Sequence, residues 1–277
     1  MSAQKEDLSQ FRKQIDKIDD KIISLLQERM EIVKQVGKYK SQNSPTQNFI
    51  RAGREAAMLR DLTKKANNSF PPAAIATIWR MIISTSLCTE QEMSISAYAD
   101  SDHNDCYWHA REYYGTFVKT TCEKSTQQVI DNVASGNASI GMLPLLDISQ
   151  KPWWDRPQDE KNNIYIFARI PFIESSDDRS KPSLAIANVM PEKTDDDVSI
   201  ISFCGSCDNE VIIDILKGFD LNATILARKN DARLIQVDRF LEVGSSVLKD
   251  INLSFNKVDN RSYIRLMGSY AVLMRFL

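Results

Sequence analysis

Apolar residues recur at steps of three and four along the first forty residues, which is the spacing of one face of an α-helix. The pattern runs from Glu6 to about Lys40, and its one gap is filled by Arg29. The apolar positions are Leu8, Phe11, Ile15, Ile18, Ile22, Leu25, Ile32 and Val36. Because the stretch has no proline and only one late glycine, Gly37, it predicts a single helix of about 35 residues and about 50 Å. Such a helix is longer than a small domain.

Two further helices are predicted after this one. A polar break at 41–48 precedes a helical stretch at 49–66. The pair Pro71-Pro72 is typical of a helix start and opens a third helix that reaches about Glu92. The apolar stripe of this helix is Ile75, Trp79 and Ile82, and the next positions on the same face are Ser86 and Glu90.

From Met93 onward the pattern indicates an α/β fold. Strands are expected at 94–99, 139–145, 164–172 and 183–189, with helices at 105–114 and 126–134. The last third predicts the order βαββαβ, which is ferredoxin-like, at 198–203, 210–219, 223–229, 232–240, 246–255 and 263–273. We therefore expect a helical domain over 1–93, an α/β lobe over 94–191 and a ferredoxin-like domain over 192–277.

Composition narrows the class of partner. The chain has 277 residues with 35 basic and 37 acidic side chains, a net charge of -2. With no polybasic block, this argues against nucleic acid and membrane surfaces as partners and favours a small molecule. The N-terminus has no apolar core of a signal peptide, and no apolar run approaches the roughly 18 residues of a membrane span, so we expect a cytoplasmic protein. Five scattered cysteines do not resemble a disulfide framework.

The cations on the first helix are the strongest candidates for chemistry. A guanidinium at an apolar position, here Arg29, is rarely buried without an anion. Lys40 lies eleven residues on and is only about 20° from the same face, about three turns away. Arg12 lies seventeen residues before Arg29 and about 260° round the helix, so a partner chain would have to bring it to the same groove.

Polar residues also border the apolar faces of the other two helices. Ser86 and Glu90 are neighbours on the third helix, and Arg51 precedes the pair Arg54-Glu55 on the second. A lone arginine in such a seam can also be a coiled-coil specificity device, and a lone serine a tolerated small residue. Taken together, these positions favour a pocket for a small dianion.

Three phrases in order, FRKQIDKIDDKIISLLQERMEIVKQVGKYK, GREAAMLRDL and IWRMIISTSL, resemble the all-helical chorismate mutases. The resemblance covers residues 6–92 and implies an intertwined three-helix homodimer whose active sites take residues from both chains, with chorismate as substrate and prephenate as product. It implies neither a metal nor a cofactor.

The family's functional residues fall on matching positions of this chain. Arg12 of the partner and Arg29 would bind the two carboxylates, and Lys40 with protonated Glu90 would stabilise the ether oxygen. Ser86 would fix a carboxylate and Glu55, next to Arg54, the ring hydroxyl. Arg51 departs from the pattern, since an Asp often stands there, and some members have Gln at the position of Glu90.

A fainter resemblance covers the rest of the chain. SISAYADSDHNDCYWHAREYYG and STQQVIDNVASGNASIGMLPL are similar to the first lobe of a prephenate dehydratase, and 198–273 resembles the phenylalanine-sensing ACT module. The catalytic Thr-Arg-Phe is replaced by the stretch 181–184, and the ACT ligand positions carry Glu210 and Ala227. We therefore expect no dehydratase chemistry. Two alternatives stay open: a non-catalytic ligand-binding regulator, and a bifunctional mutase–dehydratase.

Two cysteine patterns carry less weight. Cys204 and Cys207 have the spacing of half a zinc site, but no second pair or histidine accompanies them, so a metal is not expected. His103 and His109 flank Cys106 in a polar helix start. We expect capping or solvation there rather than a Cys–His nucleophile.

Overall fold

The computed structural model describes residues 8–43, 49–66, 70–101, 103–146, 152–155, 163–174 and 181–275. Within these ranges a helical N-terminal segment is followed by α/β elements, as the sequence predicts. The α/β elements are built on a mixed sheet.

The three predicted N-terminal helices are present. They are α1 (Leu8–Asn43), α2 (Ala52–Lys65) and α3 (Pro72–Glu90). The predicted start of α1 at Glu6 lies outside the described residues. Helix α3 begins at the second proline of the pair, because proline at the first helical position loses no intrahelical hydrogen bond.

Helix α1 has no buried residue in the single chain. Its apolar seam is exposed along its whole length, with Ile15 56% and Leu25 63% exposed. On α3 the predicted stripe of Ile75, Trp79 and Ile82 is only half-buried, whereas Ala76, Arg80, Ile83 and Leu87 are buried. In the single chain, the face of α3 that is most buried therefore lies one position further along the helix than the apolar stripe, although Ser86 of the predicted face is buried as well.

The α/β segment contains four helices and eleven strands within the described residues. The helices are α4 (Asp105–Tyr114), α5 (Thr126–Ala134), α6 (Asn209–Lys217) and α7 (Ser246–Val258). The first six strands are β1 (Ser94–Tyr98), β2 (Lys119–Glu123), β3 (Ile140–Pro144), β4 (Tyr165–Ile170), β5 (Ile173–Glu174) and β6 (Ser183–Ala187). The other five are β7 (Asp197–Cys204), β8 (Ala223–Lys229), β9 (Ala232–Val237), β10 (Tyr263–Ala271) and β11 (Met274–Arg275).

Nine of these strands form one sheet in the order β2-β1-β3-β6-β4-β10-β7-β9-β8. The first three strands are parallel, and β6 is antiparallel to both of its neighbours. Strand β10 joins the two halves because it pairs in parallel with β4 at Gly268 and Ile166. A Cβ on Gly268, whose φ is +142°, would lie 2.1 Å from the carbonyl oxygen of Ile166. Only glycine permits this close approach.

The predicted βαββαβ order of the last third is confirmed. The elements β7, α6, β8, β9, α7 and β10 follow one another along the chain, and β10-β7-β9-β8 are neighbours in the sheet and pair antiparallel. The core of this part includes Phe203, Ile212, Leu216, Ile251 and Phe255, each fully buried.

By internal packing, the chain separates into two compact units. The first contains residues up to Phe49 together with Thr85–Glu92, and the second contains Ile50–Ser84 and Met93 onward. Helix α2 and the first part of α3 thus pack with the α/β elements. The domain boundaries at 93/94 and 191/192 stay predictions.

Candidate active site

Arg29 of α1 is fixed by the hydroxyl of Ser86 on α3. The Nη1 atom of Arg29 donates a hydrogen bond to Ser86 Oγ at 2.6 Å, and Ser86 is only 5% exposed. Burial lowers the pKa of Arg29, and Glu90 acts in the opposite direction. An arginine nevertheless stays charged at neutral pH. The contact therefore holds a positive charge beside a buried hydroxyl.

About three turns further along α1, Lys40 forms an ion pair with Glu90 of α3. Lys40 Nζ lies 2.9 Å from Glu90 Oε2, and the two side chains are 18% and 10% exposed. Lys40 Nζ also lies 5.0 Å from the centre of the Phe49 ring, at a distance typical of a cation–π contact. The helices are close here, since a Cβ on Gly37 would lie 3.4 Å from Glu90 Cγ.

These four side chains, Arg29, Lys40, Ser86 and Glu90, are called the helix-pair cluster below. All four belong to the first compact unit. The cluster brings together two cations, one carboxylate and one hydroxyl, so its net charge is positive. It can bind an anion and still present a hydrogen-bonding carboxyl group beside it.

The site residues predicted on α2 lie in the second compact unit. Glu55 Oε2 accepts a hydrogen bond from Arg80 Nη1 at 2.5 Å, and Arg51 Nε is paired with the carboxylate of Glu192. Arg54 is exposed and makes no hydrogen bond or ion pair with the residues described. The substrate contacts of Arg51, Arg54 and Glu55 stay predictions.

Arg12 is exposed on α1. Because α1 is one uninterrupted helix from Leu8 to Asn43, the seventeen residues between Arg12 and Arg29 correspond to about 25 Å along its axis. A single chain therefore does not bring Arg12 to the helix-pair cluster, and its contribution to a partner's site stays a prediction.

Three partners of these residues were not expected from the sequence. Phe49 contacts Lys40, Arg80 holds Glu55, and Glu192 holds Arg51. Arg80 and Glu192 are 25 and 141 residues from their partners, and no periodicity within one element joins such pairs. For Arg80 a signal existed, because an arginine among apolar residues of a helix needs an acidic partner.

The expectation of a solvated His109 is wrong. His109 is 4% exposed and its Nδ1 lies 2.8 Å from Ser183 Oγ, which in turn donates to Cys106 Sγ at 3.3 Å. Burial raises the pKa of the Cys106 thiol to about 12, so this thiol is not an activated nucleophile. His103 is half-buried and binds Asp100 instead.

Residues 11–91 match the family model of chorismate mutase type II. The match covers α2, α3 and nearly all of α1, including every residue of the helix-pair cluster. The resemblance that the three helical phrases indicated is therefore confirmed for this segment.

Two bifunctional enzymes are similar to a longer part of the chain. The bifunctional chorismate mutase/prephenate dehydratase of Aquifex aeolicus is 30% identical over 142 residues, covering 50% of this chain and 39% of that protein. The enzyme of the same description from Pseudomonas aeruginosa is 26% identical over 148 residues, covering 52% and 40%. The match extends beyond the helical segment but spans only about two-fifths of these relatives.

Two solved structures are also similar. The prephenate dehydratase from Streptococcus mutans superposes with a TM-score of 0.42 at 12% identity, covering 66% of this chain and 100% of that chain. The prephenate dehydratase from Arthrobacter aurescens in complex with L-Phe gives a TM-score of 0.44 at 11% identity, covering 65% of this chain and 90% of that chain.

Among the described residues, no helix combines the length and apolar character that crossing a bilayer requires.

Proposed function

We propose that this protein is a chorismate mutase, which rearranges chorismate to prephenate without a metal, a cofactor or a covalent intermediate. The observation that carries the proposal is the helix-pair cluster. Within the segment that matches the mutase family, Arg29 donates a hydrogen bond to Ser86 and Lys40 donates one to Glu90. This is a preorganised arrangement of charges for a small dianion that gains negative charge as it reacts.

The cations account for substrate binding. Chorismate carries two carboxylates, and an arginine fork matches a carboxylate with two parallel hydrogen bonds. Arg29 binds one carboxylate, and Arg12 of the second chain binds the other. The Ser86 hydroxyl, which accepts from Arg29 in the substrate-free chain, turns to donate to a bound carboxylate.

The pair Lys40–Glu90 accounts for the chemistry. As the C–O bond of chorismate lengthens, the ether oxygen gains negative charge, which the Lys40 ammonium stabilises. Protonated Glu90 donates to the same oxygen, whereas in the substrate-free chain its carboxylate accepts from Lys40. Holding the substrate in its compact conformer lowers the entropic part of the barrier.

The active form in this proposal is a homodimer. A helix of 36 residues with no buried side chain leaves a continuous apolar seam in water, and a second copy of the chain covers it. The same pairing brings Arg12 to the neighbour's site.

The C-terminal half contributes no dehydratase reaction. The catalytic Thr-Arg-Phe of that family is absent at 181–184. The βαββαβ order supports an ACT-like domain, with Glu210 and Ala227 in place of the residues that wrap phenylalanine. The proposed enzyme works in the cytoplasm, in aromatic amino acid biosynthesis.

Incubation of the purified chain with chorismate tests this proposal. We expect chorismate to be consumed and prephenate to accumulate without phenylpyruvate. Arg29→Ala should abolish the turnover, whereas Lys34→Ala, at an exposed cation of the same helix, should not. Phenylpyruvate formation would favour the bifunctional alternative, and unchanged chorismate would favour a non-catalytic regulator.

A further inference from the structure

A cavity of about 410 Å³ lies within the second compact unit, and none of the residues assigned to the reaction is among those that line it. Its walls come from α2, α3, α4 and the turn between β4 and β5, and they are mostly apolar. They include Leu59, Ala76, Met81, Ile170 and Phe172. Cavities of roughly 300–1,000 Å³ with apolar walls and a few converging polar groups are the usual sites of small-molecule ligands.

The buried charged residue in the wall of this cavity is Arg80, which is 4% exposed. Its Nη1 donates to Glu55, and the guanidinium carbon lies 4.3 Å from the centre of the Tyr113 ring. Burial by itself would lower the pKa of Arg80, but Tyr113 and Glu55 raise it, with a net upward shift. Arg80 is therefore a fixed cation.

One edge of this guanidinium has no close hydrogen-bond acceptor among the described residues. Among the described residues, Arg80 Nε is buried without a hydrogen-bond partner, and Nη2 makes only a long contact of 3.5 Å with Ser84 Oγ. The N–H groups of Nε and Nη2 point the same way and form the fork that receives both oxygens of a carboxylate. Because Nε is shielded from bulk water, its acceptor must come from within the protein or from the adjoining cavity.

We propose that this cavity binds a small monocarboxylate with an aromatic or branched apolar body. The apolar walls receive the body, and the Nε/Nη2 edge of Arg80 receives the carboxylate after a small rotation of the guanidinium. Glu112 lies at the exposed rim and disfavours a second carboxylate on the ligand.

Rotation of the Arg80 guanidinium also changes the position of Glu55. Since Arg80 Nη1 holds Glu55 Oε2 at 2.5 Å, a ligand that turns Arg80 shifts the carboxylate predicted to bind the substrate's ring hydroxyl. This coupling, unlike the binding itself, rests on the proposed mutase function. It predicts a change in KM for chorismate while the ligand is bound.

Calorimetric titration of the full chain tests the binding, with 3-phenylpropionate as probe and two matched controls. We expect 3-phenylpropanamide, which lacks the charge, and propionate, which lacks the ring, each to bind at least ten-fold more weakly. Equal binding of the acid and the amide would overturn the role of Arg80, and no binding of any probe would overturn the site.

Two variants locate the binding. Thr77 is exposed and lines the cavity, so Thr77→Trp should fill the entrance and abolish binding. Thr89→Trp is the matched control, because both threonines donate to the carbonyl four residues earlier on α3 and Thr89 lies outside the cavity. Arg80→Lys keeps a cation for Glu55 but loses the fork, and it should weaken 3-phenylpropionate at least ten-fold. Binding that survives in Thr77→Trp or in Arg80→Lys would contradict the proposal.

Steady-state kinetics of the mutase reaction then separate ligand binding in the cavity from its coupling to Glu55. With 3-phenylpropionate present, KM for chorismate should change in the wild type and stay constant in Thr77→Trp. Binding without any chorismate turnover would leave the site standing and refute the proposed function. A change in KM that persists in Thr77→Trp would show that the probe acts elsewhere and would overturn the coupling.

Discussion

The buried ion pair between Arg80 and Glu55 makes a quantitative prediction about stability. The two side chains are 5% and 13% exposed and their charged atoms are 2.5 Å apart. Removing one partner of such a pair leaves an uncompensated buried charge and typically costs about 3–5 kcal/mol. Arg80→Met also removes the cation–π contact with Tyr113, worth about 0.5–2 kcal/mol, so we expect it to destabilise the chain by about 3.5–7 kcal/mol.

The double variant Arg80→Met/Glu55→Gln separates these contributions. It removes both charges, so most of the cost of an unpaired carboxylate disappears, and we expect it to be about 2–3 kcal/mol more stable than Arg80→Met alone. Urea unfolding followed by circular dichroism, with the free energy extrapolated to water, measures all four members of the cycle. A cost below about 1 kcal/mol for Arg80→Met, or additive effects of the two substitutions, would refute the account of this pair.

Three further predictions concern other parts of the molecule. Glu90→Ala should lower kcat/KM on the order of 10²-fold, as expected on deleting one donor to a developing oxyanion, whereas Glu90→Gln should retain most of it in a steady-state assay with chorismate. Burial raises the pKa of Cys106 from 9.0 to about 12. The stability that the protonated Cys106 thiol contributes should therefore be intact below pH 9 and lost as the pH rises toward 12, and the free energy of unfolding should fall by about 1.4 kcal/mol per pH unit in that range. Urea unfolding at successive pH values measures this fall, which should be absent in Cys106→Ala. Gly268→Ala should destabilise the sheet by more than about 2 kcal/mol, since its Cβ would overlap the backbone of Ile166; thermal unfolding like that of wild type would contradict this.

Local patterns predicted most of the elements but not how they join. The boundaries of α4 and α5 agree with the expected 105–114 and 126–134. In α5 the apolar residues Val129 and Val133 mark the buried face. Strand β2 was not expected. Its residues KTTCE lie at the edge of the sheet and are mostly exposed, so they lack the apolar alternation that marks a half-buried strand.

Local sequence patterns did not predict the pairing of β10 with β4 either. It joins two parts of the chain that the sequence predicts as separate domains, and it depends on the close approach at Gly268. The helix-pair cluster was predictable, because Arg29 and Lys40 share a helix face and Ser86 and Glu90 share another. The partners of Arg51 and Glu55 were not, since folding brings them from distant parts of the sequence.

The most direct test of the proposed shared active site is complementation between two inactive variants. Arg12→Ala and Arg29→Ala should each lose nearly all mutase activity while retaining wild-type circular dichroism. In a heterodimer of the two, one site lacks both arginines and the other is intact. After unfolding and refolding an equal mixture, we predict about a quarter of the wild-type turnover of chorismate, because half of the dimers are mixed and each has one working site. A mixture as inactive as its components, with subunit exchange verified, would contradict the account.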